Sequence, residues 1–245
     1  MRWLLCALAA AAMSGCKPPD ESRLKVIIGA TLLDGSGGPP ISRSVVIVAG
    51  SRIKAIGSQA ATPVPAGSDK YNGSGKFLIP IPMSAPPTQL PRVRTLEEAR
   101  ARVDEGARAL TGTILDADPD PALLRRLRNL QVVFFPRLSA IPPGEDLDRA
   151  RRNTGRLAAQ GVKIGVFSES APQEWELLAA AGLSPMEVLL AATRNAALAL
   201  GDDRAGLIAA GRPADLWLLA ANPLEDVRNL SRVERVMKSG EWVPR

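Results

Sequence analysis

The strongest constraint on the fold is a change in hydrophobic periodicity near Thr95, after which strand-like and helix-like segments alternate as far as Leu200. Each apolar, strand-like run is followed by a segment with helical spacing and helix-capping residues. The predicted strands are 109–115, 131–138 and 162–168, and the predicted helices are 96–108, 121–130, 146–160, 173–181 and 185–200. Because strands joined by crossover helices lie parallel, this region predicts a parallel α/β sheet.

Shorter β-rich runs flank that region on both sides. Before it, apolar and β-branched runs at 24–28, 45–48, 52–56 and 76–79 are separated by turn residues. Gly50-Ser51, between two of these runs, is typical of a hairpin. After Gly201, β character returns at 214–220 and 235–238. We therefore expect the beginning and the end of the chain to share a small sheet.

The N-terminal residues are typical of an export signal. Met1-Arg2 supplies positive charge, Trp3 to Met13 is apolar, and small residues precede Cys16. The apolar run is shorter than the roughly 20 residues that a membrane-spanning helix needs. The small residues before Cys16 resemble a bacterial lipobox, so we expect a signal peptide over 1–16, a lipid on Cys16 and a polar tether over 17–23. This predicts a lipid-anchored protein of the bacterial cell envelope; cleavage by an ordinary signal peptidase is the alternative.

The chain contains no histidine among its 245 residues. Neutral imidazole is the commonest zinc ligand in proteins and titrates near neutral pH, so the usual ligand and the usual proton shuttle are both missing. The cysteines, Cys6 and Cys16, leave the mature chain without an internal disulfide. The net charge of +6 comes largely from arginines spaced along predicted helices, with no stacking aromatic residues between them. We therefore expect solvated helix faces and no nucleic-acid partner.

Several short motifs point to one hydrolase family. They are Gly29-Ala30-Thr31-Leu32-Leu33-Asp34-Gly35, Leu183-Ser184-Pro185-Met186-Glu187, Ala192-Thr193-Arg194-Asn195-Ala196-Ala197 and Gly211-Arg212-Pro213-Ala214-Asp215-Leu216. Together they resemble the amidohydrolase superfamily, most closely its imidazolonepropionase-like group, over roughly residues 24–80 and 95–243. The resemblance implies a metal-dependent (β/α)8 barrel and a small composite β-sandwich. The corresponding domains would be a sandwich of 24–80 and 206–245 and a barrel segment of 81–205.

The chain departs from the family where the metal would bind. After Pro80 the family continues into an Asp-x-His-x-His ligand pair, whereas this chain continues Ile81-Pro82-Met83-Ser84-Ala85-Pro86-Pro87. Prolines at that density disfavour a central strand. By the resemblance, Thr111 occupies the position of a metal ligand and Glu169 that of the aspartate acting on metal-bound water. These two residues are the candidate catalytic positions. The family would use a divalent metal such as zinc, but we expect no bound metal or other cofactor here.

Glu169 has two interpretations. At the C-terminal end of a barrel strand it would lie where this fold keeps its catalytic groups, and burial could raise its pKa enough for it to act as a general base. An isolated carboxylate at a strand end is more often a helix cap or a solvated side chain.

The chain also differs from the family in the length of its barrel region. A complete (β/α)8 barrel takes about 250 residues, whereas 81–205 holds 125. The expected fold is therefore α/β, with a truncated (β/α) barrel remnant whose three strand–helix units resemble the last three of the family. A three-stranded parallel sheet leaves two bare edges and an apolar inner face. We expect a second copy of the chain, another partner or the segment 82–91 to cover it.

An acidic segment follows the first predicted strand of the barrel region. Asp116, Asp118 and Asp120 have the alternate spacing of a calcium-binding loop. Pro121 and Leu127, however, replace the glycine and the glutamate that such a loop requires at its sixth and twelfth positions. The sequence therefore favours a helix cap at Asp118 or Asp120 over a metal site.

Nucleophilic catalysis has no support in the residue pattern. Ser168, Ser170 and Thr111 carry hydroxyl groups near the expected site, but no histidine exists to activate them. Lys163 could act as a base, but strand alternation places its side chain on the opposite face from Ser168.

Two functions follow. The favoured one is an exported lipoprotein, catalytically impaired or inactive, that keeps the amidohydrolase-like fold as an envelope binding or scaffold module. The alternative is a residual hydrolase that acts on carbon–nitrogen bonds other than peptide bonds, with a site that lacks histidine or is completed by a partner. The two differ in whether an ion or an activated water is held near Glu169.

Overall fold

The computed structural model describes residues 23–84, 90–168 and 172–244. Cys16, the predicted signal peptide, all of the predicted tether except Arg23, and Glu169 lie outside these residues. No helix in the described ranges is long and apolar enough to cross a membrane. The strands are β1 (Lys25–Ile28), β2 (Thr31–Leu32), β3 (Ser44–Ala49), β4 (Arg52–Ser58), β5 (Asp69–Asn72), β6 (Phe77–Pro80), β7 (Arg92–Val93), β8 (Ala109–Gly112), β9 (Val133–Pro136), β10 (Lys163–Ile164), β11 (Leu216–Leu219), β12 (Val233–Lys238) and β13 (Glu241–Trp242). The α-helices are α1 (Leu96–Asp104), α2 (Pro121–Asn129), α3 (Leu147–Ala159), α4 (Gln173–Ala180), α5 (Pro185–Leu190) and α6 (Ala196–Ala199).

The strands before and after the parallel region form two sheets. The first contains strands from the N-terminal part of the chain alone, and the second combines strands from both parts. The first has the strand order β4-β3-β1-β5, in which β1 and β5 are parallel and the other pairs are antiparallel. The second has the order β13-β12-β11-β6-β2, and its neighbours β6 and β11 place Pro80 opposite Leu216. Strands that are far apart in sequence therefore lie side by side. Buried side chains of both sheets form one apolar cluster, which includes Ile27, Val46, Ile53, Leu78, Leu216 and Met237.

The third sheet is entirely parallel and has the order β10-β9-β8-β7. Helices α1, α2 and α3 connect its successive strands, as in a (β/α) barrel, but within the described ranges the sheet does not close. The sequence predicted three strands here, and the structure has a fourth. Strand β7 was missed because Arg92–Val93 is only two residues long. The predicted strand 162–168 pairs as a strand only over Lys163–Ile164.

Side-chain caps fix where the helices begin. Helix α1 follows a capping box in which the Thr95 side chain accepts a hydrogen bond from the Glu98 N–H and the Glu98 side chain accepts one from the Thr95 N–H. Asp146 caps α3, and Ser184 forms a capping box at the start of α5 with Pro185 as its first residue. The apolar faces of these helices then pack against one side of the parallel sheet.

The predicted helix 185–200 is divided into three parts. A π-helical turn, Ala191–Asn195, separates α5 from α6. In this turn the Ala191 carbonyl accepts a hydrogen bond from the Val166 N–H at 3.1 Å, and the Asn195 side chain donates to the Ile164 carbonyl at 2.8 Å. The outer edge of β10 is thus hydrogen-bonded to this turn. The prediction of two bare sheet edges is wrong at this side, because periodicity shows a helix but not which backbone carbonyls it shares.

Two of the family-like motifs meet at a close backbone contact. A Cβ atom on Gly35 would lie 2.3 Å from the Gly206 carbonyl oxygen, and one on Gly206 would lie 2.7 Å from the Arg194 backbone. Both glycines have positive φ, 82° and 70°. In a third motif, the Asp215 carboxylate accepts a hydrogen bond from the Ser239 N–H at 2.6 Å. These residues hold segments of the chain together.

The acidic segment after β8 is used structurally. Asp120 caps α2 by accepting hydrogen bonds from the N–H groups of Ala122 and Leu123, which confirms the predicted cap. Asp118 forms an ion pair with Arg156, and Asp116 accepts a hydrogen bond from the Leu96 N–H at the start of α1.

Replacing Asp120 with alanine should destabilise the protein by about 1 kcal/mol, the usual contribution of an N-cap side chain. The Leu123 N–H lowers the pKa of Asp120, with smaller contributions from the Ala122 N–H and Arg100. Because the folded-state pKa is below the unfolded value of about 4, this stabilisation is present above that value and is lost as the pH falls through the folded pKa. Urea unfolding at several pH values measures both effects.

Asp118→Ala is the matched control for this prediction. Its carboxylate forms an exposed ion pair with Arg156, and exposed pairs contribute about 0.5 kcal/mol. Equal losses for the two alanine variants would contradict the assignment of Asp120 as the cap.

Candidate functional site at the rim of the parallel sheet

The candidate site lies at the C-terminal ends of the parallel strands, which we call the rim. In (β/α) barrels, the groups that perform chemistry are placed at this end of the strands. Thr111 is the penultimate residue of β8, and Ser168 lies four residues after the end of β10. Of the two predicted catalytic positions, Thr111 is therefore at the rim, whereas Glu169 lies outside the described residues.

Thr111 is half-buried, and its hydroxyl group is engaged with the backbone. The hydroxyl donates a hydrogen bond to the Phe135 carbonyl oxygen on the neighbouring strand β9, at 3.2 Å. The next residue, Gly112, approaches β7 so closely that a Cβ atom there would lie 2.0 Å from the Val93 carbonyl oxygen. The hydroxyl of Thr111 therefore ties two strands together, and the described residues place no base beside it.

Aromatic rings fill the inner face of the parallel sheet, the face opposite the helices. The rings of Phe135 and Phe167 are stacked with centroids 4.4 Å apart and planes 15° from parallel. Gly165 makes room for this pair, since a Cβ atom at that position would lie 2.5 Å from the Phe135 ring. Val133 and Ala109 are buried in the same cluster. In a (β/α) barrel, side chains on this face pack the interior, and the reacting groups lie above them at the C-terminal ends of the strands.

The chain after β6 closes over this face. Met83 and Leu90 pack against the inner cluster, together with Ala199 of α6. The Met83 carbonyl accepts a hydrogen bond from the Ser168 N–H at 2.9 Å, and the Met83 N–H donates to the Ala192 carbonyl at 2.8 Å. Met83 thus lies beside the continuation of β10, where the resemblance puts the first barrel strand and its ligand pair.

The remaining polar groups at the rim do not assemble into a catalytic set. The hydroxyl oxygens of Ser84 and Ser168 lie 3.5 Å apart. The ammonium group of Lys163 forms a hydrogen bond with the side chain of Gln131, a residue that precedes β9, and so it lies at the opposite end of the strands. Ser170 lies outside the described residues. The residues described near Ser168 therefore include no lysine that could act as its base.

A buried carboxylate that the sequence patterns missed lies close to the rim. Glu174 of α4 is fully buried, and its two carboxylate oxygens accept hydrogen bonds from the N–H groups of Leu138 and Ser139, each at 2.8 Å. These N–H groups begin the turn that follows β9. Glu174 therefore caps that turn and fixes α4 against it, and both of its oxygens are occupied by these bonds.

The described rim residues do not fit a catalytic zinc ion. Zinc is held in proteins by imidazole, thiolate or carboxylate groups, whereas the rim offers the hydroxyls of Thr111, Ser84 and Ser168. No group of three or more Cys, Asp or Glu residues with the spacing of a metal site occurs in the ranges 23–84, 90–168 and 172–244. This donor set departs from the metal chemistry that the resemblance implies.

Phe135→Ala should destabilise the protein by about 3–5 kcal/mol, because it empties the centre of the inner-face cluster. Thermal or urea unfolding measures the loss. Leu198→Ala is the matched control: its side chain is 37% exposed, and such surface changes alter stability by about 0.5 kcal/mol or less. A comparably small loss for Phe135→Ala would mean that the inner face is open to solvent.

Glu174→Gln should cost about 2 kcal/mol of stability, because an amide cannot accept two hydrogen bonds from buried N–H groups in the same geometry. Glu176→Gln, an exposed change on the same helix, should cost about 0.5 kcal/mol or less. The two variants are compared by urea unfolding, and equal values would contradict the capping role of Glu174.

Solved structures that resemble this one are hydrolases with low sequence identity. A. niger ochratoxinase superposes with a TM-score of 0.76 and 12% identity, over 90% of this chain and 95% of that chain. A prolidase complexed with N-methylphosphonate-L-proline gives 0.74 and 15% over 91% and 100%. Molinate hydrolase gives 0.73 and 13% over 90% and 94%. At these identities the likeness shows the fold alone: a mixed α/β fold similar to that of amidohydrolase barrel proteins.

No functionally curated protein matches the chain in sequence. The model of the amidohydrolase family, however, matches residues 121–243, which is half of the chain. The matched range includes three of the four motifs from which the resemblance was inferred. It also contains the last two parallel strands and the C-terminal strands of the five-stranded sheet. The chain therefore belongs to the amidohydrolase family.

Proposed function

We propose that this protein is a lipid-anchored member of the amidohydrolase family that has lost catalysis and serves as a binding or scaffold module in the bacterial cell envelope. The observation that carries the proposal is the filled inner face of the parallel sheet. Phe135, which is opposite Thr111 in the strand register, and Phe167, which precedes Ser168, bring two stacked rings to the end of the strands where a barrel enzyme would hold its substrate, and Met83 packs against the same cluster.

Two further features support the loss of catalysis. The Thr111 hydroxyl, at the position of a family metal ligand, is hydrogen-bonded to a backbone carbonyl. Each oxygen of the buried Glu174 carboxylate accepts a hydrogen bond from a backbone N–H group. A general base must reach the proton that it removes, whereas this carboxylate is held against the turn after β9.

The wider organisation of the molecule belongs to the same proposal. We infer that the two sheets that share the cluster around Leu78 form the composite β-sandwich of the family, and that the parallel sheet is its shortened barrel. Met83 and Leu90, which pack against the inner-face cluster, would take the place of the missing strands as a cover. In this arrangement a second copy of the chain is not needed to bury the inner face, and a monomer in solution is the expected state.

The alternative is a residual hydrolase of carbon–nitrogen bonds other than peptide bonds, with Glu169 as its remaining acid–base group. The name of one structural neighbour, molinate hydrolase, describes a hydrolytic enzyme. Ser168 precedes Glu169 in the sequence, and its hydroxyl oxygen lies 3.5 Å from that of Ser84. A carboxylate site of this kind would still need an ion or an activated water.

Metal content of the purified mature chain decides between the two. We expect zinc, manganese and iron to be far below one ion per chain by elemental mass spectrometry. We also expect no hydrolysis above background of cyclic amides, N-acyl amino acids or an Xaa-Pro dipeptide, before or after incubation with these metals.

Glu169→Ala and the nearby surface change Glu176→Ala form the matched pair for this experiment. If near-stoichiometric metal co-purifies, is lost in Glu169→Ala and is kept in Glu176→Ala, the proposal of an inactive protein is wrong. If metal co-purifies with both variants, the ion is bound elsewhere in the protein and not at the rim.

A further inference from the structure

A pocket lies far from the rim, at the edge shared by the two sheets of the sandwich. It has a volume of about 360 Å³ and is lined by residues of β1, β5, β12 and β13. We call it the edge pocket. Its wall holds the only tyrosine of the chain, Tyr71, and the Trp242 ring, whose centroids are 5.1 Å apart. An aromatic, cation-lined cavity at a sheet edge is a binding feature that the proposed function does not use.

A β-bulge in β12 aims charged side chains at this pocket. Leu218 lies opposite Arg235 and Leu219 opposite Val233, so Glu234 is the extra residue. In a regular strand, successive side chains point to opposite faces. Here the bulge brings both neighbours to Tyr71: Glu234 accepts a hydrogen bond from its hydroxyl at 3.1 Å, and the Arg235 guanidinium lies 5.2 Å from the centre of its ring. Bulges often redirect side chains beside functional sites.

Arg235 is held in place by stacking on two aromatic rings. Its guanidinium lies over both rings, 5.2 Å from the centroid of Tyr71 and 4.6 Å from that of Trp242. Stacking fixes the plane of the group and leaves its N–H edges available for a phosphate or carboxylate. Within the described ranges, the Arg235 side chain has no hydrogen bond and no ion pair. A pre-oriented arginine of this kind is suited to binding an anionic group.

The other charges around the pocket balance one another, so Arg235 leaves the pocket with a net positive charge. Lys25 is paired with Glu241 and donates to the Gly240 carbonyl. Lys70 is exposed, and Asp69 contributes one carboxylate to the lining. Together with Arg235, Lys70 therefore presents positive charge at the mouth of the pocket, and the indole and phenol rings beside them are the side chains that favour the membrane–water interface.

The pocket lies where the predicted tether enters the fold. Arg23 is the first described residue, and the Leu24 carbonyl accepts a hydrogen bond from the N–H of Asp69, a lining residue, at 2.8 Å. Six residues separate Arg23 from Cys16, and a fully extended chain spans at most about 3.5 Å per residue. A lipid on Cys16 would thus hold this edge within roughly 25 Å of the bilayer surface.

We propose that the edge pocket binds the phosphate group of an anionic phospholipid and orients the protein on the membrane. The proposal rests on the lipid anchor of the proposed function for its geometry, but not for its chemistry. Arg235 and Lys70 contact the phosphate, and Trp242 and Tyr71 enter the headgroup region beside it. The inner face of the parallel sheet takes no part in this contact.

The test uses the mature chain from residue 16 with Cys16→Ser, so that no lipid is attached. Binding to vesicles is measured by co-sedimentation at low ionic strength, with phosphatidylcholine alone and with added phosphatidylglycerol. We expect binding to the anionic vesicles only. Lys70→Gln and Arg235→Gln should each weaken it by roughly fivefold, the usual contribution of one cation near an anionic surface.

Arg125→Gln is the matched control, since it removes an exposed arginine from α2, in the other part of the molecule. It should bind as the parent does. Circular dichroism and unfolding curves confirm that each variant is folded, and Lys70→Gln tests the proposal with no buried contact changed. Equal weakening by Arg125→Gln, or no weakening by Lys70→Gln and Arg235→Gln, would overturn it.

Two further measurements separate this proposal from its premises. Calorimetric titration with glycerophosphoglycerol, the soluble headgroup, should show much weaker binding than vesicles do; equal affinity would assign the pocket to a soluble phosphate ligand and overturn the membrane role.

Incorporation of labelled palmitate into the full chain, but not into Cys16→Ser, tests the anchor separately. If the protein binds vesicles but Cys16 takes up no label, the proposed lipid anchor is wrong and the assignment of the pocket is unaffected.

Discussion

The structure depends on how the exposed edge of a short parallel sheet obtains its hydrogen bonds. A (β/α) barrel has no edge, because its last strand pairs with its first. Here the last strand, β10, instead bonds to a helical turn: the Ala191 carbonyl and the Asn195 amide satisfy Val166 and Ile164. The π-helical geometry of that turn leaves the carbonyls of Ala191 and Ala192 available to groups outside the helix. The shortened sheet is thereby sealed by a segment that the family already possesses.

The hydrogen bonds of the π-helical turn also explain why the inner face is covered. The Ala192 carbonyl accepts the N–H of Met83, and the Met83 carbonyl in turn accepts the N–H of Ser168. One residue of the chain after β6 therefore bridges the sheet and the turn, and its side chain covers the rings beneath. Apolar surface that an uncovered sheet would expose to water is buried instead.

Most of the architecture could be predicted from the sequence, and the reasons for the misses are physical. The alternation after Thr95 predicts α1, α2 and α3 and the strands between them, and of the two expected cap positions, Asp118 and Asp120, the structure uses Asp120. Strand β7 was missed since two residues carry no periodicity. The bond pattern of the π-helical turn was missed because it depends on contacts distant in sequence.

The candidate site was predicted less completely than the fold. Thr111 was placed at the rim by resemblance alone, and only coordinates show that its hydroxyl is bound to a carbonyl. Glu174 gave no signal, because a glutamate in the first turn of a helix is common and its partners lie more than thirty residues away. The bulge that turns Glu234 and Arg235 to the same side breaks the alternation on which strand patterns rely. Function-bearing geometry of this kind is local and irregular.

The pairing of β6 with β11 has a consequence for how the chain acquires its structure. Pro80 and Leu216 are neighbours in the five-stranded sheet, so that sheet cannot form until almost the entire polypeptide is available. Contacts between such distant segments make folding slow, since a long loop must close before any of them is gained. A chain that completes its sheet last keeps β6 without its partner β11 until its synthesis is nearly finished. Late closure of the sheet would thus suit a protein that has to cross a membrane before it folds.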